Sequence, residues 1–186
     1  VMAAINYLLN DKKVPVGGTS AGAAILGNYY FSAERGGITA AEALANPFTT
    51  AVMLYKDDFL NVPYLQNIIT DQHFSQRERE GRTAVFLARI MKDWNKMPNA
   101  IAVDEKTAVC IDENGMAEVV GVNKAFFLKT DVSKKPEVLT AGTALTWNHD
   151  GKAIQVSAIS GAVKNNKFNV STFSTVNTIG LESFWW

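Results

Sequence analysis

The sequence predicts an α/β fold in which a parallel sheet is followed by an antiparallel, β-rich C-terminal portion. Three observations lead to this prediction. Short apolar runs of strand length alternate with helical segments over the first hundred residues, which is typical of parallel sheets. A glycine-flanked turn joins one such run to a helix. From residue 125 onward, the apolar residues alternate with a period of two.

The N-terminal residues predict a helix and then a short strand. Ile5, Leu8 and Leu9 share one face of a helix over 2–10, and polar residues follow it. Residues 14–16 then predict a short buried strand. Because a crossover helix implies a strand before it, we expect the chain to be the C-terminal segment of a larger fold that lacks its N-terminal strands here. The upstream segment of that fold would then be a partner.

The turn after residue 16 has the G-x-S-x-G pattern of a nucleophile elbow, with Ser20 at its centre. A serine on a sharp strand-to-helix turn leaves no room for side chains two residues away, so Gly18 and Gly22 are expected at those positions. We expect a helix over 21–31, with the Ala21 N–H and the positive helix end stabilising an oxyanion. The pattern therefore predicts Ser20 as a nucleophile.

Further strand and helix units follow in the middle of the chain. Thr39 and Glu42 form a capping box that begins a short helix. A strand over 65–70, a helix over 81–92 and a strand over 100–103 come next. Polar residues follow both strands, and the ends of strands are where open α/β sheets place their ligands.

The C-terminal portion predicts antiparallel strands. Residues 107–111 and 117–122 flank the turn signal Glu113-Asn114-Gly115, which indicates a hairpin. The later predicted strands cover 125–129, 144–147, 153–160 and 167–175. No linker divides the chain, so residues 1–186 are expected to form a single domain.

Composition argues against several classes of function. The formal net charge is zero and 19% of residues are charged, so we expect no binding to nucleic acid or to an anionic membrane. No apolar stretch reaches the 18 residues of a membrane span. The single cysteine, Cys110, is predicted to be a small buried apolar residue. We expect no cofactor or metal, and we leave open a homodimer and whether the compartment is cytoplasmic or exported.

A serine nucleophile needs a base, and the chain has two histidines. His149 precedes an Asp-Gly turn, where a histidine is usually solvated. His73 follows an apolar strand and precedes Arg77, Arg79 and Arg82. His73 is therefore the predicted base. Guanidinium groups bind carboxylates in bidentate geometry, so the arginines suit a carboxylate-bearing substrate.

Three carboxylates are candidates for the group that orients His73. Asp71 would share a strand face with His73, and Glu105 ends the next strand, from which its side chain could reach the imidazole. Glu34 follows the elbow helix too closely. These residues alone do not separate Asp71 from Glu105.

Two segments, GGTSAGAA over 17–24 and DQHFSQR-x-R-x-x-R over 71–82, strongly resemble the cyanophycinase family of serine peptidases, which also contains aspartyl dipeptidases. The resemblance covers residues 3–120. It implies a sheet of the class I glutamine amidotransferase-like, flavodoxin-like type. It also implies exopeptidase cleavage of a peptide polymer, arginine-branched poly-aspartate, to β-aspartyl-arginine dipeptides. Two alternatives are an α-aspartyl dipeptidase of the same family and a non-catalytic relative that binds acidic peptides.

The resemblance also implies roles for the motif residues. Ser20 would be the nucleophile, His73 the general base and then acid, and Glu105 of the AIAVDE segment the third member. The substrate pocket would be lined by Asp71, Gln72, Arg77, Arg79 and Arg82. The sequence departs from the family in one respect. Members of the family have an upstream glycine-rich loop with a substrate-binding glutamine, and we expect that loop to supply an oxyanion donor. This sequence lacks the loop.

Overall fold

The computed structural model describes residues 1–176 and 181–186. Within these ranges the helices are α1 (Met2–Asn10), α2 (Ala21–Ala24), α3 (Ala40–Ala45) and α4 (Glu80–Trp94). The strands are β1 (Tyr29–Phe31), β2 (Leu54–Lys56), β3 (Ile68–Gln72), β4 (Asn99–Val103), β5 (Thr107–Ile111), β6 (Met116–Gly121), β7 (Lys124–Lys129), β8 (Gln155–Ser160), β9 (Lys167–Asn169), β10 (Ser174–Thr175) and β11 (Leu181–Trp185). No helix in these ranges is both long and apolar enough to cross a membrane.

The strands form two sheets. A seven-stranded mixed sheet has the order β11-β8-β7-β4-β3-β1-β2, and β3 runs parallel to both β1 and β4. The other neighbours in this sheet are antiparallel. A separate four-stranded sheet, β10-β9-β6-β5, is antiparallel throughout. The predicted α/β fold, with a parallel core and an antiparallel C-terminal portion, is confirmed at this level.

Apolar side chains bury the two faces of the large sheet. Helix α4 covers one face with the predicted apolar side chains of Val85, Phe86 and Ile90, all of which are buried. The small sheet covers part of the other face, where the rings of Phe127 and Phe168 stack with their centroids 3.9 Å apart. These contacts fix β3 and β4, the strands that lead to the candidate site.

Several predicted elements are confirmed with small changes in their bounds. Helix α1 has the predicted bounds. The Thr39 side chain accepts a hydrogen bond from the Glu42 N–H, and the Glu42 side chain accepts one from the Thr39 N–H, so the capping box is complete. The predicted hairpin is the pair β5 and β6.

The buried strand predicted over 14–16 is wrong. These residues are exposed and pair with no strand among the described residues. A buried strand needs partners for its N–H and C=O groups, and Pro15 has no N–H to donate. The Val14 N–H bonds instead to the carbonyl of Leu8 in α1.

The helix predicted over 21–31 is also wrong beyond its first turn. Helix α2 ends at Ala24, and β1 occupies 29–31. Aromatic residues favour strands, and Tyr29 and Phe31 pack against α4. Gly27 approaches β3 so closely that an added Cβ would lie 2.7 Å from the Ile68 carbonyl oxygen.

Three further predictions need correction in the C-terminal part. In place of the strand predicted over 144–147, the structure has an isolated bridge between Thr146 and Val138. The strand predicted over 167–175 is divided into β9 and β10. Cys110 is exposed, not buried. It lies on β5, an edge strand that turns alternate residues to solvent.

Candidate active site

The pairing of β3 with β4 brings two of the predicted site residues together. The strands are parallel, and Gln72 at the end of β3 lies opposite Val103 at the end of β4. The residues that follow each strand are therefore neighbours at one edge of the sheet. The Nδ1 atom of His73 lies 2.9 Å from Oε1 of Glu105.

Ser20 approaches the same histidine from the elbow. Its Oγ lies 3.1 Å from Nε2 of His73, so the imidazole has hydrogen-bond partners on both nitrogens. Ser20 has φ 50° and ψ −121°, a backbone conformation that non-glycine residues rarely adopt and that is typical of strained functional turns. Helix α2 is held on β3 because the Thr70 hydroxyl donates a 2.7 Å hydrogen bond to the Ala23 carbonyl.

The two elbow glycines differ in what surrounds them. A Cβ on Gly18 would lie 2.2 Å from the backbone carbon and oxygen of Gly22, so only glycine fits there. A Cβ on Gly22 would meet nothing within 4 Å. The expectation of crowding is confirmed for Gly18, where the Gly22 backbone fills the space, and is wrong for Gly22 itself.

His73 is held by its neighbours in the loop. It has φ 51°, which turns the chain sharply at the end of β3. The next residue, Phe74, is fully buried and packs 5.0 Å from the Phe126 ring and 6.0 Å from the Trp186 ring. This anchor fixes the backbone on which the imidazole stands.

The loops after β3 and β4 are joined by hydrogen bonds that the sequence motifs do not predict. The Ser75 N–H donates to Asp104 Oδ1 over 2.9 Å, and the Glu105 N–H donates to Gln76 Oε1 over 2.9 Å. Asn123 donates to the Glu105 carbonyl over 2.8 Å. Asp104 directly after a buried strand was an available signal, because carboxylates often accept N–H groups where a chain turns.

The other two carboxylate candidates lie elsewhere. Glu34 accepts hydrogen bonds from the Tyr55 hydroxyl. Asp71 points into the interior, where it accepts hydrogen bonds from Arg82 and Thr83. Among the candidates for the third member, the hydrogen bond to His73 is made by Glu105.

The predicted pocket residues differ in how far they are exposed to solvent. Asp71 and Arg82 are 3% and 4% exposed and pair with each other in the interior. Arg79 is partly buried and donates to Asp71 and to the Gln72 carbonyl; burial, with Arg82 nearby, lowers its pKa. Arg77 is exposed. The Oε1 atom of Gln72 is buried and has no hydrogen-bond partner among the described residues.

The Ala21 N–H, the predicted oxyanion donor, has no acceptor among the described residues. The next two N–H groups are engaged, since Gly22 donates to Thr19 and Ala23 donates to Ser20. Because α2 has only four residues, its dipole is small, and the Ala21 N–H itself is the feature that could stabilise an oxyanion. The other histidine, His149, lies 2.7 Å from the Lys135 carbonyl and contacts Glu137.

A hydroxyl, an imidazole and a carboxylate in hydrogen-bonded sequence form the arrangement that serine hydrolases use. Here Ser20 supplies the hydroxyl, His73 the imidazole and Glu105 the carboxylate, and each contacts the next. The geometry suits nucleophilic attack on a carbonyl group.

Comparison with known proteins gives a distant relationship to one group of hydrolases. No family model matches the chain. The cyanophycinase of Geminocystis herdmanii is 25% identical over 154 residues, which cover 82% of this chain and 46% of the relative. Cyanophycinases of Trichormus variabilis and a Nostoc species are each 26% identical over 121 residues, which cover 65% of this chain and 35% of the relative.

These matches confirm the family-level resemblance to cyanophycinases predicted from the two motifs, at a distance of about 25% identity. The matched part of the chain spans less than half the length of each of these relatives.

Proposed function

We propose that the protein is a serine-type peptidase in which Ser20 is the nucleophile, His73 the general base and Glu105 the carboxylate that orients the base. The observation that carries the proposal is the continuous hydrogen-bond chain, 3.1 Å from Ser20 to His73 and 2.9 Å from His73 to Glu105. Both distances are within the range for direct proton transfer or orientation.

In the proposed mechanism, the neutral imidazole keeps its proton on Nδ1 and donates a hydrogen bond from Nδ1–H to the Glu105 carboxylate. Nε2 accepts the hydroxyl proton of Ser20 while Oγ attacks the carbonyl carbon of the scissile bond. The resulting oxyanion accepts a hydrogen bond from the Ala21 N–H. The imidazolium then protonates the leaving amine, and the acyl-enzyme ester is hydrolysed by a water molecule that His73 activates in the same way.

The contributions of the groups differ in kind. One oxyanion donor is worth about 10²- to 10³-fold in rate in related mechanisms. Glu105 has a side chain 44% exposed, so solvent screens its charge. Its proposed contribution is therefore to fix the tautomer and orientation of His73. The hydrogen bond achieves this, and a strong electrostatic effect of the carboxylate charge is not required.

The proposed substrate is cyanophycin, cleaved from a chain end to β-aspartyl-arginine. The names of the relatives support this proposal, as does Arg77, an exposed guanidinium four residues after the proposed base. Because Asp71 and Arg82 neutralise each other in the interior, we assign substrate carboxylates to Arg77, with Arg79 and Gln72 at the inner wall. The class I glutamine amidotransferase-like topology is part of the same proposal.

Hydrolysis assays test the proposal. The purified protein and its Ser20→Ala variant would each be incubated with cyanophycin and, separately, with an α-aspartyl dipeptide, and the products identified by mass spectrometry. We expect β-aspartyl-arginine from cyanophycin with the unmodified protein alone. Cleavage of the α-aspartyl dipeptide alone would indicate an aspartyl dipeptidase, and binding of cyanophycin without cleavage would indicate a non-catalytic relative. Equal cleavage by Ser20→Ala would contradict the assignment of the nucleophile.

A further inference from the structure

We propose that Gln76 is a positioning residue that holds Glu105 in place against His73, an inference that rests on the proposed function. The side-chain oxygen of Gln76 accepts a 2.9 Å hydrogen bond from the Glu105 N–H. The contact places an uncharged side chain directly against the backbone of Glu105, the proposed acid of the pair.

The carboxylate of Glu105 needs such support because little else holds its side chain. The hydrogen bond to His73 is the one contact of this kind that the carboxylate makes within the described residues. With the side chain 44% exposed, packing restrains it less than it would restrain a buried side chain. The position of the carboxylate therefore depends on how firmly the backbone of residue 105 is held.

Both peptide groups of Glu105 are held by side chains. Gln76 accepts from the N–H, and Asn123, from the turn between β6 and β7, donates to the C=O over 2.8 Å. These two contacts fix the backbone on either side of the Cα atom. The direction of the Cα–Cβ bond, and with it the reach of the carboxylate, is thereby set.

Gln76 also belongs to the loop that carries the base. It lies in a 3-10 turn over Ser75–Arg77, and the Arg77 N–H donates to the His73 carbonyl over 3.1 Å. The Gln76–Glu105 contact therefore joins the loop of the acid to that of the base, so that a shift of one loop moves the other with it. Gln76 is exposed, so its truncation leaves the core intact.

The first test measures the rate at which a fluorophosphonate labels Ser20, which needs no knowledge of the substrate. We expect Gln76→Ala and Gln76→Met, which retains the side-chain length but has no oxygen acceptor, to slow labelling about threefold to tenfold, as loss of one hydrogen bond predicts. In a Glu105→Ala background, where no carboxylate remains to be positioned, neither change is expected to have an effect. Gln155→Ala, at an exposed glutamine on β8, is the matched control.

A second measurement separates positioning from general loosening of the structure. The chain has two histidines, so the ring protons can be assigned by NMR with a His73→Ala reference. We expect Gln76→Ala to shift or broaden the Nδ1 proton signal of His73, because the hydrogen bond to Glu105 weakens. The signals of His149, which bonds to the Lys135 carbonyl, are expected to stay in place.

The outcomes distinguish this inference from the proposed function. Absence of Ser20 labelling in the unmodified protein would overturn both. Normal labelling of Ser20, with Gln76→Ala and Gln76→Met as fast as the unmodified protein, would overturn the role of Gln76 alone. Equal slowing in the presence and absence of the Glu105 carboxylate would also overturn it, because the effect would then not pass through Glu105.

Discussion

Replacement of Asp71 by asparagine should destabilise the protein strongly. Asp71 is 3% exposed and receives hydrogen bonds from Arg82 Nε at 2.9 Å, from Arg82 Nη2 at 2.5 Å and from the Thr83 hydroxyl at 2.8 Å. In Asp71→Asn the new amide N–H groups would face these donors, and the buried guanidinium would lose its counter-charge. Breaking a buried ion pair from one side costs about 3–5 kcal/mol.

Urea unfolding measures this cost. With a slope of about 1–3 kcal/mol per molar urea, the midpoint is expected to fall by about 1 M or more. Asp11→Asn, at an exposed aspartate after α1, is the control and is expected to change the free energy of unfolding by less than about 0.5 kcal/mol. Asp71→Leu combined with Arg82→Met removes both charges and should be less destabilising than Asp71→Asn alone.

The alternative is that Asp71 contacts substrate directly. In that case Asp71→Asn would raise KM and leave the urea midpoint unchanged. That result would refute the conclusion that the Asp71–Arg82 pair is part of the interior.

Three further predictions concern the site and its frame. Glu105→Gln should lower kcat by about 10²-fold or more, because the amide N–H can donate to Nδ1 of His73 and select the wrong tautomer; an unchanged kcat in steady-state assays would contradict this. Gly18→Ala should lower the free energy of unfolding by about 1–3 kcal/mol, because the new methyl group meets the Gly22 backbone, whereas Gly22→Ala should leave it unchanged or raise it slightly; equal urea midpoints for the two variants would argue against the crowded elbow. Thr39→Ala should cost about 1 kcal/mol through loss of the helix cap, and a thermal unfolding midpoint identical to that of the unmodified protein would show that the cap contributes nothing.

The proximity of His73 and Glu105 could be predicted because it follows from sheet geometry. The residues after two neighbouring parallel strands lie at one edge, and both strands were visible as apolar runs. The sequence alone does not distinguish Asp71 from Glu105 as the carboxylate that orients His73. The structure separates the two because the chain turns sharply at His73, where φ is 51°, so His73 leaves the strand face from which Asp71 reaches Arg82 of α4.

Two features could not be predicted in the same way: which charged side chains are buried, and which extended segments pair as strands. Arg77 and Arg82 have the same chemistry, yet Arg77 lies exposed in the 3-10 turn before α4, whereas Arg82 lies within α4 and is buried beside an aspartate. Residues 14–16 have strand-like composition, but a strand also needs a neighbour for its backbone groups, and local sequence does not contain that information. The hydrogen bond from Glu105 to Gln76 likewise depends on two loops that meet only in the folded chain.

Mass spectrometry of the fluorophosphonate-treated protein tests the central assignment most directly. The probe reacts with a serine whose hydroxyl proton is removed by a neighbouring base, so a single adduct on the peptide containing Ser20 is expected. The adduct should be lost in Ser20→Ala and strongly reduced in His73→Ala, with both variants folded by circular dichroism. An adduct that persists in Ser20→Ala, or no adduct on the unmodified protein, would contradict the proposal that Ser20 is an activated nucleophile.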